Sequence, residues 1–211
     1  DDQELIRAAV AKVCADYPDE YWAERDQNHD FPWDFYNAMA NAGWIGTAIP
    51  EAYGGSGMGI TEASLVLEEV AASGAAMNGA TPLHLSMFGM EPVVKYGSEE
   101  MKQMYLPRVA AGEMHVAFGV TEPDAGTDTT SITTAAKREG DYYIVKGRKV
   151  WTTKALQSER VLLLVRTTPR DKVERRTDGM TLLLAELQRD EVTISPIDKV
   201  GRNAVATCEV V

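Results

Sequence analysis

Residues 118–131 read Phe-Gly-Val-Thr-Glu-Pro-Asp-Ala-Gly-Thr-Asp-Thr-Thr-Ser, and the pattern of the chain changes across them. The sequence before this stretch has helical periodicity, whereas the sequence after it reads as strands and hairpins. Two apolar residues, Phe118 and Val120, lead into the stretch, and Pro123 then ends the strand. The small and hydroxyl residues that follow let a backbone come close to a ligand. The residues alone therefore predict a binding loop at the join of a helical and a β layer.

Helical periodicity covers residues 1–112. A first helix is predicted over residues 3–17, and a polar, aromatic-dotted connection follows it. Start and stop residues predict five further helices. The first begins at Pro32, and the second is capped by Thr61 and ends at Gly74. Two more begin at Thr81-Pro82 and at Glu91-Pro92, and the last is capped by Ser98 and ends at Gly112.

Strand patterns cover the rest of the chain. Alternation over residues 114–120 predicts a strand with one apolar face, and residues 139–141 and 146–148 predict hairpin turns. Residues 160–167 and 180–187 are nearly continuous apolar runs, which predicts strands covered on both faces. Between them, residues 169–179 predict a charged, solvated loop. The last strands are predicted over residues 191–197 and 204–211, and an ending on an apolar strand suggests a fragment.

Composition restricts the possible functions. The chain has 211 residues, 45% hydrophobic and 25% charged, which is typical of an ordinary soluble globular protein. A net charge of −11 argues against a nucleic-acid partner. No apolar run reaches the ~18 residues that span a bilayer, and the acidic N-terminus is unlike a signal peptide. Cys14 and Cys208 suggest no disulfide framework, which fits a reducing compartment. The three histidines are scattered without ligand spacing, so no metal site is expected.

Two local features leave alternatives open. Residues 49–57 are glycine-rich but lack the Lys-Ser or Lys-Thr ending of a phosphate-binding loop, so they predict a packing or mobile loop. Met87 and Phe88 supply adaptable apolar bulk, which fits either core packing or the wall of an acyl-chain pocket.

Four segments resemble the acyl-CoA dehydrogenase family. Residues 119–131 match its motif at every defined position, and residues 147–153 resemble its Gly-x-Lys-x-Trp-Ile-Thr segment. Residues 49–55 and 199–207 are similar to two further blocks. The chain departs from the family pattern at four positions. Thr152 replaces an aliphatic residue and Lys154 replaces Asn, while Asn203 replaces Arg and Val205 replaces Ser.

The resemblance implies an α+β architecture: an N-terminal all-helical domain, residues 1–113, followed by an antiparallel β-barrel-like middle domain, residues 114–211. A third, helical domain is absent from this sequence. FAD is the implied cofactor and an acyl-CoA thioester the implied substrate. An electron-transferring flavoprotein is the implied partner, and a homotetramer the implied assembly. We expect no nucleic-acid or membrane partner, and a cytoplasmic location or, alternatively, the mitochondrial matrix.

The family motifs also assign roles to residues. Phe118, Val120 and Thr121 are expected against the flavin ring. Gly126 permits close backbone approach, and Thr127 offers its hydroxyl or N–H to the cofactor or to the CoA portion of the substrate. In the second motif, Trp151 is expected to stack on the flavin and Thr153 to reach its N5. These donors would meet the negative charge that a flavin gains near N1 and the C2 carbonyl on reduction.

The resemblance places no catalytic acid or base in this chain, because the base of the family comes from the missing domain. Glu122 is expected to make a structural hydrogen bond instead, and the isolated chain is expected to be inactive and to hold FAD weakly. An acyl-CoA oxidase or a flavin monooxygenase of the same fold is an alternative. A non-catalytic module that binds flavin or acyl-CoA is another.

Overall fold

The computed structural model describes residues 2–211, and these form two compact units. The helical unit runs up to Val116 and also includes Lys199–Ala206. The β unit comprises Ala117–Asp198 and Thr207–Val211. A helical N-terminal region followed by a strand-rich region confirms the predicted α+β class.

The α-helices described within residues 2–211 are α1 Asp2–Cys14, α2 Asp19–Asn28, α3 Trp33–Asn41, α4 Ile60–Val70, α5 Ala76–Gly89, α6 Glu91–Tyr96 and α7 Glu99–Ala110. The predicted cap of the last helix is confirmed, because the Ser98 side chain accepts a hydrogen bond from the Met101 amide at 3.2 Å.

Three helix predictions were wrong. The polar connection after α1 is helix α2, which buries only Trp22 and therefore shows little apolar periodicity. Helix α4 is preceded by Gly59 rather than capped by Thr61, and the Glu62 carboxylate accepts the Gly59 N–H at 3.0 Å. Helix α5 does not begin at Thr81; it begins at Ala76 and runs through Pro82. Pro82 predicts the start of a helix, but tertiary packing of α5 overrides this local sequence signal.

The core of the helical unit is aromatic and aliphatic, and it includes the completely buried side chains of Phe35, Tyr36, Met39 and Val205. The glycine-rich residues 49–57 form a packing loop. Three backbone hydrogen bonds of 2.9–3.0 Å join residues 46–49 to residues 56–58. A Cβ on Gly55 would lie 2.0 Å from the Ile49 carbonyl oxygen, so only glycine fits there.

The strands are β1 Val116–Gly119, β2 Ala135–Glu139, β3 Tyr142–Lys146, β4 Lys149–Thr153, β5 Arg160–Arg166, β6 Met180–Glu186, β7 Ile194–Pro196 and β8 Thr207–Val210. One sheet has the order β1-β5-β2-β3 with β6 also paired to β5, and the second has the order β4-β8-β7. Neither sheet closes on itself, so the predicted barrel is two open sheets. The pairing is mostly antiparallel, but β2 and β5 meet in parallel.

Several strand predictions need correction. The hairpin at residues 139–141 is confirmed, since β2 and β3 pair in register. Residues 146–148 are not a hairpin turn, because β3 and β4 lie in different sheets. Strand β5 is largely buried as predicted, but β6 is only half-buried. The last two strands are shorter than expected, and residues 199–206 leave the β unit altogether.

Candidate functional site

The two sequence motifs meet at the start of strand β4. The amide of Val150 donates to the carbonyl oxygen of Thr121 at 2.9 Å. The ammonium of Lys149 donates to the carbonyl oxygen of Val120 and to a carboxylate oxygen of Glu122, both at 2.9 Å. The motif loop, defined here as residues 120–127, is therefore fixed to the strand that carries Trp151 and Thr153.

Glu122 is the most extensively bonded side chain of the motif loop. It is 5% exposed and accepts hydrogen bonds from the amide and hydroxyl of Thr133, at 2.7 and 2.8 Å, and from the amide of Thr134 at 2.9 Å. Burial alone would raise its pKa, but hydrogen bonds from Thr134, Lys149 and Thr133 outweigh burial and lower the pKa to about 2. Glu122 is thus ionised and held in structural hydrogen bonds, as expected, and it is a poor general base.

Lys149 was missed as a site residue by the sequence interpretation. Its side chain is 2% exposed, burial lowers its pKa, and the Glu122 carboxylate opposes that effect. A lysine at the start of an apolar strand, following a motif that contains a glutamate, was the available sign. Its partner became clear only once strand β4 was placed beside the motif loop.

Trp151 projects outward because of an irregularity in strand β4. The register between β4 and β8 shifts between Lys149 and Thr152, and Trp151 has a φ of 61°. Bulges of this kind redirect side chains and are common beside functional sites. Positive φ is unusual for a bulky residue and stores strain, which itself points to a functional role. The indole is 56% exposed.

The remaining predicted cofactor residues lie on the surface of the same unit. Phe118 is 38% exposed, Val120, Thr121 and Thr153 are partly buried, and Gly126 and Thr127 are exposed. A Cβ on Gly126 would meet no protein atom within 4 Å, so protein packing alone does not require glycine there. The Thr153 hydroxyl lies 3.4 Å from that of Thr207.

Thr152 in strand β4 and Lys154 immediately after it, which both depart from the family pattern, are buried. Thr152 is 1% exposed, and its hydroxyl has no hydrogen-bond partner among residues 2–211. Lys154 is completely buried and has a φ of 65°. Burial lowers the pKa of Lys154 to about 7.

Asp128 and two arginines organise the chain beyond the motif loop. Hydrogen bonds from Thr130 and Ser131, together with Arg176, lower the pKa of Asp128 to about 2. Arg166 is 5% exposed and donates to the carbonyl oxygens of Thr130, Arg176 and Asp178. None of these residues was predicted from the sequence to have a role.

A cavity of the β unit lies elsewhere. It has a volume of about 710 Å³, and none of the predicted cofactor residues lines it. Its wall is formed mainly by strands β3, β5 and β6. The candidate site is thus an exposed face of this unit rather than a closed pocket.

The two residues proposed for an acyl pocket belong to the helical unit. Met87 is 2% exposed and packs in the core, and Phe88 is partly buried against that core. Core packing therefore accounts for Met87, and a role in an acyl pocket stays a prediction.

In the part of the chain that the structure describes, no helix has the length and apolar character that crossing a membrane requires. Among the same residues, no cluster of three or more His, Cys, Asp or Glu side chains could hold a metal ion.

Two family profiles match the chain. The sequence profile of the acyl-CoA dehydrogenase N-terminal domain matches residues 1–113, and that of the acyl-CoA dehydrogenase middle domain matches residues 117–211. The chain belongs to the acyl-CoA dehydrogenase family.

Individual relatives support the assignment. The chain is 35% identical over 173 residues to acyl-CoA dehydrogenase FadE12 of Mycobacterium tuberculosis, which covers 79% of this chain and 42% of FadE12. A glutaryl-coenzyme A dehydrogenase bound to glutaryl-CoA has a TM-score of 0.92 at 27% identity, over all of this chain and 53% of that one. A Mycobacterium smegmatis glutaryl-CoA dehydrogenase in complex with FADH2 has a TM-score of 0.87 at 25% identity, over 100% and 52% of the two chains. This chain spans about half the length of the relatives it matches.

Proposed function

We propose that this chain forms the N-terminal and middle domains, residues 1–113 and 114–211, of an FAD-dependent acyl-CoA dehydrogenase. The observation that carries the proposal is the junction of the two motifs, in which Val150 and Lys149 bond the backbone of Thr121 and Val120. The family membership and the relative solved with FADH2 support the cofactor. The reaction proposed is the oxidation of an acyl-CoA thioester to the trans-2-enoyl-CoA.

The residues present fit a flavin. Among residues 2–211, no backbone acceptor takes a hydrogen bond from the amides of Thr121, Gly126 or Thr127. An exposed indole at Trp151 and an exposed ring at Phe118 lie in the same two motifs. A flavin ring offers an acceptor-rich edge for such donors and a flat face for such rings. Nothing inside the protein fills the space beside Gly126.

Bound FAD would supply the hydride acceptor for this chemistry. The residues of this chain would bind the cofactor and orient it. Thr121 and Thr127 would donate hydrogen bonds where negative charge develops, Thr153 would donate near N5, and Trp151 would cover one face of the ring. Thr127 would also donate a hydrogen bond to the CoA portion of the substrate. Met87 and Phe88 would contact its acyl chain.

Proton abstraction is assigned to a carboxylate outside this sequence. Glu122 is unsuited to it because its carboxylate is ionised and bonded to four donors, Lys149 included. Positioned proton transfer contributes on the order of a hundred- to ten-thousandfold, so the 211-residue chain by itself should be inactive. We further propose an electron-transferring flavoprotein as electron acceptor, a homo-oligomeric full-length protein, and a reducing location in the cytoplasm or the mitochondrial matrix.

The test uses the full-length gene product and its Trp151→Ala variant. The purified protein should show flavin absorbance that bleaches when acyl-CoA is added without oxygen, with formation of enoyl-CoA. Trp151→Ala should lower the affinity for FAD and perturb the flavin spectrum, because the stacking surface is lost. Tyr142→Ala is the matched control, since Tyr142 is an aromatic residue 77% exposed on strand β3.

Three outcomes would count against the proposal. A colourless, inactive full-length protein would favour a non-catalytic module. Rapid reoxidation in air with release of peroxide would indicate an oxidase. Tight, stoichiometric FAD retention by the isolated 211-residue chain would contradict the view that half of the binding surface lies outside this sequence.

A further inference from the structure

The motif loop uses its carbonyl oxygens inside the protein. Those of Val120 and Thr121 accept hydrogen bonds from the Lys149 ammonium and the Val150 amide, both at 2.9 Å. The carbonyl oxygen of Glu122 accepts a hydrogen bond from the amide of Ala125 at 3.1 Å, and the carbonyl oxygen of Ala125 accepts one from the amide of Glu122 at 3.0 Å. Four of the eight carbonyl oxygens of residues 120–127 are therefore bonded within the protein and are not free to accept from a ligand.

The donors of the same loop remain available. The amides of Thr121, Gly126 and Thr127 make no hydrogen bond to another backbone group within residues 2–211, and Gly126 and Thr127 are exposed. The carbonyl oxygens of Val120 and Thr121 are therefore occupied by the protein, whereas the amides of Thr121, Gly126 and Thr127 remain open to a ligand. Such an arrangement suits a ligand edge that is rich in acceptors or that gains negative charge.

One buried ion pair ties this loop to strand β4 and to residues 133 and 134. The Lys149 and Glu122 side chains are 2% and 5% exposed, and their charged atoms lie 2.9 Å apart. Lys149 bonds Val120 and Glu122 at once, while Glu122 also ties the loop to Thr133 and Thr134. A buried pair of this kind is seldom a net source of stability, but removing one partner leaves an uncompensated buried charge.

We propose that Glu122 and Lys149 are a positioning pair that holds the motif loop in its donor-presenting conformation before the cofactor binds. The inference rests on the proposed function, since it takes a flavin as the ligand of the loop. The pair would preorganise the loop. Because the donors of the loop are already ordered when the flavin ring binds, binding costs less conformational entropy and the affinity for the ring is higher.

The experiment measures the loop and the cofactor separately in the full-length protein. Hydrogen exchange of the amides of residues 120–127 is followed by mass spectrometry without FAD, and FAD affinity is then measured by fluorescence titration. In Glu122→Gln, loop exchange should accelerate about ten- to hundredfold and FAD affinity should fall by a similar factor, because charge-assisted hydrogen bonds are lost. Exchange in strand β5 should be unchanged.

A gentler variant covers the case in which Glu122→Gln does not fold. Thr133→Val removes only the 2.8 Å hydrogen bond from the Thr133 hydroxyl to Glu122, so a smaller acceleration and a several-fold loss of FAD affinity are expected. Glu139→Gln is the matched control, because it breaks the exposed ion pair with Lys137 and should change neither readout.

The outcomes separate the two proposals. Wild-type loop exchange in folded Glu122→Gln or Thr133→Val protein would overturn the positioning role, as would faster loop exchange with unchanged FAD affinity. A wild-type protein whose loop is protected but which binds no FAD would instead overturn the proposed function.

Discussion

At the scale of single residues, Lys154 is the most unusual side chain in the β unit. It is completely buried at the end of the second motif and adopts a left-handed backbone conformation. Asn, the residue usual in the family, adopts that conformation more readily, because its short side chain can bond the local backbone. Lysine instead places an amino group in a completely buried position, where burial disfavours its charged form.

The burial of Lys154 predicts how stability depends on pH. Since burial lowers its pKa from 10.5 to about 7, the unfolded chain binds more protons than the folded chain between these pH values. The free energy of unfolding should therefore rise with pH above 7, by up to ~1.4 kcal/mol per pH unit from this residue. Urea denaturation between pH 7 and 9 measures the slope.

Two variants isolate this contribution. Lys154→Met has no ionisable group and should lose the added slope, whereas Lys146→Met, at an exposed position of strand β3, should keep it. Equal pH slopes in the wild type and in Lys154→Met would show that the buried amine does not titrate in this range.

At the scale of elements, the long connection between β5 and β6 is held at its base. The exposed charges of residues 169–179 fit the predicted solvated loop, yet Arg166, the last residue of β5, bonds the C-terminal end of that loop. Its guanidinium donates to the carbonyl oxygens of Arg176 and Asp178 at 2.9 and 2.8 Å, and to that of Thr130. The forked geometry of arginine suits this role, because several carbonyls can be bonded in one plane.

Arg166→Met should release this loop. With its donors gone, the bonded carbonyls must turn to water, so we expect the variant to lose about 2–4 kcal/mol of unfolding free energy. Trypsin should also cleave within residues 169–179 faster than in the wild type. Arg138→Met is the control, because Arg138 makes one exposed hydrogen bond to Gly140 in a hairpin turn. Unchanged cleavage in Arg166→Met would mean that other contacts hold the loop.

At the scale of the whole molecule, the chain returns to the helical unit near its end. Segment Lys199–Ala206 belongs to that unit, and Val205 is completely buried in its core. Asp26 secures the segment: its carboxylate accepts the amide of Asn203 and the side-chain amide of Asn78, the latter at 3.1 Å. Asn203 and Val205 are positions where this chain departs from the family, and both serve this packing.

Asp26→Ala should loosen the returning segment. The loss of hydrogen bonds to a charged acceptor predicts a decrease of about 1–3 kcal/mol in the unfolding free energy. Faster hydrogen exchange in residues 199–206 should accompany it. Asp16→Ala, at an exposed position, should change stability by less than about 0.5 kcal/mol. Unaltered exchange in residues 199–206 of Asp26→Ala would show that Val205 packing alone retains the segment.

The sequence by itself determined the class of fold, the capped helix α7, the hairpin at residues 139–141 and the motif loop, because each depends on signals between residues close in the chain. It also supplied the residue types of the candidate site through the two motifs. Only the tertiary structure decided that strand β4 pairs with β8 in a separate sheet, that a register shift turns Trp151 outward, and that Lys149 finds Glu122. The burial of Lys154 and the position of residues 199–206 in the helical unit were likewise decided by the tertiary structure. These features depend on which distant segments pair and in which register, and the packing that decides this is not written in any local pattern.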